Sequence, residues 1–331
     1  MKPSEITIAL PELFAAKRSP FIWGKSGVGK SSVVHQVAKA MGLELRDVRM
    51  SQLDSIDLRG FPMPDAKTGT MKWLSPDFLP TKADKPGILF LDEMNGAMPA
   101  VLAPSYQLIL DRRIGNYVFP DHWHIVAAGN GLGDRGITHS MPAPLNNRFT
   151  HIDYDVDADD WHKRAMDDGI DLTIRAYHRL KAGSTLHVFD SAANPRAFPT
   201  PRAWYAVHDL LQRQLPPGIL LSLVQGTVGE GAGAEFIGFR NDIVNMPDID
   251  AIILNPDKAD LPKTQSIMHA VVTALVDKAK ASTMDRLMKY VERLQRDIQV
   301  VFVRMAIAKD QRVTSTKSYK DWGIKNQGII T

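Results

Sequence analysis

The sequence predicts an α/β fold, a parallel five-stranded sheet with helices on both faces, followed by two further helical regions. Three observations carry that expectation. Short apolar runs alternate with helical periodicity through the first half of the chain, the pattern of strands joined by crossover helices. One run, Ile88-Leu89-Phe90-Leu91, is apolar at every position, as a strand buried on both faces requires. After Asp159 the apolar spacing turns helical, which ends the sheet near residue 155.

Taken in order, the candidate strands are residues 21–23, 45–50, 88–91, 124–128 and 151–154. Between the first two, a helix from Ser31 to Met41 puts Val33, Val34, Val37 and Met41 on one side and stops at Gly42. Pro62, Pro64, Pro76 and Pro80 mark residues 60–80 as irregular. Inside that stretch, Asp65 to Thr70 reads as a hairpin tip with Met71 and Trp73 on the returning arm.

The acidic run from Asp153 to Asp160 has the look of a calcium loop. It carries Ala158 where that loop needs glycine and Arg164 where it needs glutamate. It reads instead as an edge strand entering a helix cap before Trp161. His122 and His124 stand at strand spacing with no third metal ligand apparent.

Residues 194–202 hold three prolines and read as a linker into a helix over 203–214; residues 226–238 are glycine-rich and read as a turn region. From Lys263 onward two long helices are expected. Met284, Leu287, Met288, Val291, Leu294, Ile298, Val301 and Met305 recur at three- and four-residue steps, and Ser282 with Asp285 resembles a capping box. Residues 311–331 carry Arg312, Lys317, Lys320 and Lys325 against Asp321 and read as a solvated chain end. The organisation expected is a large α/β subdomain over 1–155, a helical region over 156–245 and a C-terminal helical extension over 246–331.

Composition narrows the function classes. A chain of 331 residues with 44% hydrophobic and 23% charged residues affords a sizeable core in about two domains. Without cysteine there are no disulfides and no thiolate metal site. No apolar run approaches the ~18 residues that span a bilayer, and Glu5 interrupts any signal-peptide core. The chain therefore reads as soluble, cytoplasmic and without a membrane partner. A net charge of +3 makes no overall electrostatic case for nucleic acid and does not exclude it.

Gly24-Lys25-Ser26-Gly27-Val28-Gly29-Lys30-Ser31 fits the phosphate-loop pattern between a strand and a helix. Its glycines let the backbone wrap phosphates with amides pointing inward, and the helix adds its positive dipole end. Lys30 is expected to neutralise the β- and γ-phosphates, and Ser31 to ligate Mg²⁺. The other half of such a site is an acid for the metal and a base for water. Asp92 and Glu93, at the carboxyl end of the apolar run, supply both.

With these motifs the chain resembles the AAA+ ATPases, and more closely their MoxR-type and dynein-related branch. The resemblance covers about residues 18–215. Ile125-Val126-Ala127-Ala128-Gly129-Asn130 ends a strand in a polar residue as sensor 1 does, so Asn130 is expected to hold the lytic water or γ-phosphate. Leu145-Asn146-Asn147-Arg148-Phe149 matches the arginine-finger segment, although Asn147 stands where many relatives have an acidic residue. Arg135 is a second finger candidate. Thr200-Pro201-Arg202-Ala203 is similar to the sensor 2 turn that opens a helical lid, with Arg202 favoured and Arg196 the alternative. Residues 52–73 correspond to the insertion that interrupts helix 2 in this branch.

The resemblance implies ATP and Mg²⁺ as cofactors, held by Gly24, Ser26, Gly27, Val28, Gly29, Lys30, Ser31, Ser32 and Arg202, with Ser31 and Asp92 on the metal. It implies Lys30, Glu93, Asn130 and Arg148 in catalysis, the last reaching in from a neighbouring subunit of a homo-hexameric ring. It further implies remodelling or maturation of a partner complex, with a partner bearing a von Willebrand factor A domain. The alternatives are a nucleic-acid motor or loader and a nucleotide-gated assembly scaffold.

Overall fold

A computed structural model describes residues 1–131, 141–190, 193 and 195–326. The chain forms two compact units, one of Met1–Asp157 with Asp190–Asn194, the other of Ala158–Phe189 with Pro195–Thr331.

The first unit runs α1 (Pro3–Ala15), β1 (Ser19–Trp23), α2 (Lys30–Met41), β2 (Glu44–Arg49), α3 (Ser55–Arg59), β3 (Phe61–Asp65), β4 (Thr70–Leu74), β5 (Gly87–Asp92), α4 (Pro99–Asp111), β6 (Arg113–Ile114), β7 (Tyr117–Val118), β8 (Trp123–Gly129), α5 (Ala143–Asn146) and β9 (Phe149–Asp153). Five of these strands pair, all in parallel, in the order β2-β5-β8-β1-β9.

The side-chain period of two divides each central strand between two cores. Leu89 and Leu91 of β5, with Phe21 of β1 and Ile125 of β8, join Val101, Leu108 and Leu145 on one face. Ile88 and Phe90, with Ile22 and Val126, join Ile6, Leu10 and Phe14 of α1 and Val33, Val34 and Val37 of α2 on the other. Helices thus cover both faces, and every residue of Ile88–Leu91 is fully buried.

β3 and β4 form a separate antiparallel hairpin with Asp65 opposite Thr70. Its tip closes through Asp65 O, which accepts from the amides of Thr68 and Gly69, and through an ion pair of Lys72 Nζ with Asp65 Oδ2 at 2.6 Å. Pro62 and Pro64 do not prevent strand formation, because a two-stranded hairpin leaves each strand with an unpaired edge.

The second unit is helical: α6 (Ala158–Asp167), α7 (Leu172–Leu180), α8 (Pro201–Leu211), α9 (Pro217–Val228), α10 (Glu230–Asp242), α11 (Ile249–Leu254), α12 (Gln265–Lys278), α13 (Met284–Val291), α14 (Arg296–Lys309) and α15 (Lys317–Lys325). It holds two apolar cores. One lies around Tyr177, Trp204 and Phe236, the other around Leu275, Tyr290 and Phe302. Among the described residues no helix is long and apolar enough to cross a membrane.

Four expectations are corrected here. The stripe from Met284 to Met305 is one apolar face carried by two helices, because the chain leaves helical geometry between Val291 and Arg296 and re-enters it in α14. The cap of α13 is Thr283 rather than Ser282, and its hydroxyl bonds backward to Lys278 O and Lys280 N instead of capping forward. The glycine-rich stretch is two helices broken at Gly229. The described part of the basic segment, residues 311–326, is packed: Trp322 is 1% exposed and donates to Gln299 Oε1 at 2.8 Å, and Val313 is buried in the same core.

Candidate nucleotide site

β1 delivers the chain at Trp23 into the glycine-rich loop, and α2 begins at Lys30. Gly29 caps that helix at φ 112°, a conformation that strains any residue with a side chain. Lys30 is buried, 8% exposed, and donates to Gly24 O at 2.7 Å, Lys25 O at 2.9 Å and Asn130 Oδ1 at 2.8 Å. The side chain lies at the mouth of the loop, where the dipole of α2 adds positive potential.

Ser31 Oγ donates to Asp92 Oδ2 at 2.8 Å. The carboxyl end of β5 is thereby tied to the first turn of α2. The other carboxylate oxygen of Asp92 accepts from the Glu93 amide at 2.8 Å. Glu93 adopts φ 53°, a left-handed conformation that costs a non-glycine residue about 1 kcal/mol or more. Its carboxylate accepts a hydrogen bond from the hydroxyl of Ser51, just beyond β2. The loop, Asp92 and Glu93 therefore meet at the carboxyl edge of the sheet, where open α/β sheets take their ligands.

Asn130 follows β8 at that edge, and a residue that sequence reasoning missed holds it. Asn95, 1% exposed, accepts from Asn130 N at 3.0 Å and donates to Asn130 O at 2.7 Å. The backbone beside it must be bare: a Cβ at Gly129 would lie 2.4 Å from Asn95 Oδ1. The available signal was a lone amide side chain, two residues past Glu93, in an otherwise apolar surrounding. Tyr154 was missed as well. It follows β9 and lies against the loop, its Cβ 3.0 Å and its hydroxyl 3.1 Å from where a Cβ at Gly24 and at Gly29 would stand.

The remaining predicted residues divide. Val28 is buried under the loop, and Ser26 and Ser32 are exposed. Arg148 is exposed and precedes β9, whose first residue, Phe149, pairs with Ser19 at the start of β1. A strand of five residues spans about 16 Å, so Arg148 stands a strand's length from its own loop, at the amino edge. Arg135 lies outside the described residues. Arg202, exposed, is the second residue of α8 in the helical unit, behind a cap in which Thr200 Oγ1 accepts from Ala203 N at 3.0 Å. Arg196 is exposed before that cap.

Comparison with known proteins bears on this segment. Residues 20–149 match the family described as the AAA domain of the dynein-related subfamily. Midasin of Dictyostelium discoideum is 30% identical over 146 residues, 41% of this chain and 2% of midasin. Midasin of Giardia intestinalis is 31% identical over 150 residues, 42% of this chain and 3% of midasin. The chain thus spans only a few hundredths of the length of the curated relatives it matches. Among solved structures, the Thermotoga maritima RuvB Holliday junction branch migration motor aligns over 88% of this chain and 85% of its own, at 17% identity and a TM-score of 0.40.

Proposed function

We propose that the chain is a MgATP-hydrolysing ring ATPase that remodels or matures a partner protein complex, in the manner of MoxR-type chaperones. One observation carries the reading furthest. Lys30, Ser31, Asp92, Glu93 and Asn130 gather at one edge of the sheet, while Arg148 is exposed at the opposite edge. A site whose finger is a strand's length away is completed by a neighbouring copy, which argues for a ring, here a homo-hexamer.

The amides of residues 24–32 and the Lys30 ammonium would take the phosphates. Ser31 and Asp92 offer a hydroxyl and a carboxylate within 2.8 Å of each other, hard oxygens that suit Mg²⁺. Bound there, Mg²⁺ would supply charge neutralisation to the phosphates. Glu93 would orient the attacking water, with Asn130 opposite. Arg148 of the adjacent subunit would meet the γ-phosphate, and Arg202 would report it to the helical unit, whose segment 156–245 serves as the lid and 246–331 as the extension.

The hairpin β3–β4 would face the partner, since Phe61, Met71, Trp73 and Leu74 are exposed apolar residues on one short projection. A partner with a von Willebrand factor A domain and a cytoplasmic setting complete the reading. Steady-state ATPase, measured with co-purifying proteins and separately with DNA, tests it. Stimulation by a protein supports it. Stimulation by DNA alone replaces it with a nucleic-acid motor, and stimulation by neither with a scaffold.

A further inference from the structure

We infer that the cleft walled by α6, α7, α12 and α14 in the helical unit is a second ligand site, built for a small phosphorylated organic molecule. The cleft has a volume of about 440 Å³ and shares no residue with the nucleotide loop. Each helix contributes at turn spacing, as His269, Thr273 and Val276 of α12 do against Val301, Arg304 and Met305 of α14. It is therefore an ordered junction of helix faces.

Its charge is one-sided. Lys163, Arg175, Arg179 and Arg304 line it, and Asp159 is the carboxylate among the lining residues. Asp159 bonds Arg179 Nη1 at 2.8 Å, and Asp277 takes Arg175 by two bonds of 2.8 and 2.6 Å. Among the described residues neither Lys163 nor Arg304 makes an ion pair, so two cations face the cleft uncompensated.

Buried polar atoms without hydrogen-bond partners strengthen the case. Arg179 Nε and His178 Nε2 are buried and have no hydrogen-bond partner, although native proteins satisfy nearly all such atoms. His178 is fully buried, and its other nitrogen is engaged with Thr185 Oγ1 at 2.8 Å. The local field points the same way. Burial, and then the positive charge of Arg179 and its neighbours, hold His162 far below the usual histidine range. Only the part of that shift owed to the nearby positive charge, after burial, favours an anion.

The remaining wall is apolar, with Met166, Val276, Val301 and Met305. That mixture selects the ligand class. A phosphoryl group brings two negative charges and several acceptor oxygens to the guanidinium forks, and an organic body covers the methionine side. A monocarboxylate satisfies fewer of these donors.

The experiment uses the full chain carrying Lys30→Ala, which removes phosphate binding at the nucleotide loop, and calorimetric titration with phenyl phosphate and with benzoate. Phenyl phosphate should bind at least about tenfold tighter than benzoate. Adding Arg304→Ala with Lys163→Ala, two exposed side chains, should weaken it by about tenfold or more with the thermal melt unchanged. In ¹⁵N-histidine spectra the His178 signals should move with phenyl phosphate and stay still in the doubly substituted chain. Absence of binding to the Lys30→Ala parent, equal affinity for benzoate, or undiminished binding after the two substitutions would each overturn the assignment.

Discussion

Lys30 shows how much one side chain is asked to do at this site. It is buried, its charge is held by three neutral oxygens, and one of them belongs to Asn130 on a different strand. The same ammonium thus ties down the strand end, and under the proposed function it would also neutralise phosphate. Lys30→Ala should lower ATP affinity by about a hundredfold or more, read by titration with a fluorescent ATP analogue; near-normal affinity removes the assignment. Asn95 acts one step back. It pins both backbone groups of Asn130, so Asn95→Ala leaves a part-buried N–H and C=O without that partner, at up to about 1–3 kcal/mol each. The expected result is a melting temperature lowered by several degrees and a kcat reduced about tenfold or more with KM for ATP little changed. A drop in stability alone, with kcat intact in the folded fraction, would make Asn95 purely structural.

At the level of elements, what was legible beforehand followed from local rules, and what was not depended on partners distant in sequence. The run Ile88–Leu91 announced a central strand because both faces must be apolar, and Asp65 to Thr70 announced a turn through its own chemistry. The helix α1, by contrast, packs Ile6, Leu10 and Phe14 at four-residue steps but carries Pro11 inside, a signal easily read as an interruption. Trp322 lies among basic residues that suggest solvent, and only its packing in the C-terminal core shows otherwise. At the site, the loop and the acid pair were visible as motifs, whereas Asn95, Ser51 and Tyr154 gain meaning only where the strands converge.

Two elements make separable predictions. Lys67→Gly with Met71→Gly, on the exposed hairpin, should leave basal ATPase within about twofold while abolishing stimulation by a protein partner; collapse of the basal rate would place the hairpin in the folding core. In the helical unit, burial drives His178 down to about 3 from 6.5. The folded state keeps it neutral while the unfolded chain takes a proton below about 6.5, so the unfolded state binds more protons across that interval. Stability is therefore full above 6.5 and declines as pH falls towards 3. His178→Gln should flatten that slope in denaturant titrations; an unaltered slope would assign the acid sensitivity elsewhere.

At the scale of the whole molecule, the proposed ring places Arg148 at a neighbouring copy's site. The parallel order β2-β5-β8-β1-β9 sets the nucleotide loop at the carboxyl edge and Arg148 at the amino edge, about 16 Å along β1. An arginine so placed does not reach its own loop, and the proposed function has it serve a neighbouring copy. Delivered in trans, it is worth ~10³–10⁵ in rate by stabilising charge on the transferring phosphoryl group. Arg148→Ala should then bind ATP and lose turnover, and so should Glu93→Gln, but the two break opposite halves of the shared site. Arg148→Ala subunits retain Glu93, and Glu93→Gln subunits retain the finger. Mixed rings therefore contain some interfaces with both groups intact, and ATP hydrolysis should rise above that of either parent. A strict firing order around the ring would mute steady-state recovery, so single-turnover hydrolysis is the deciding measurement. If mixed assemblies form, as shown by co-elution of differently tagged subunits, and single turnover shows no gain, Arg148 is not the trans finger. Arg135 then becomes the residue to exchange in the same design.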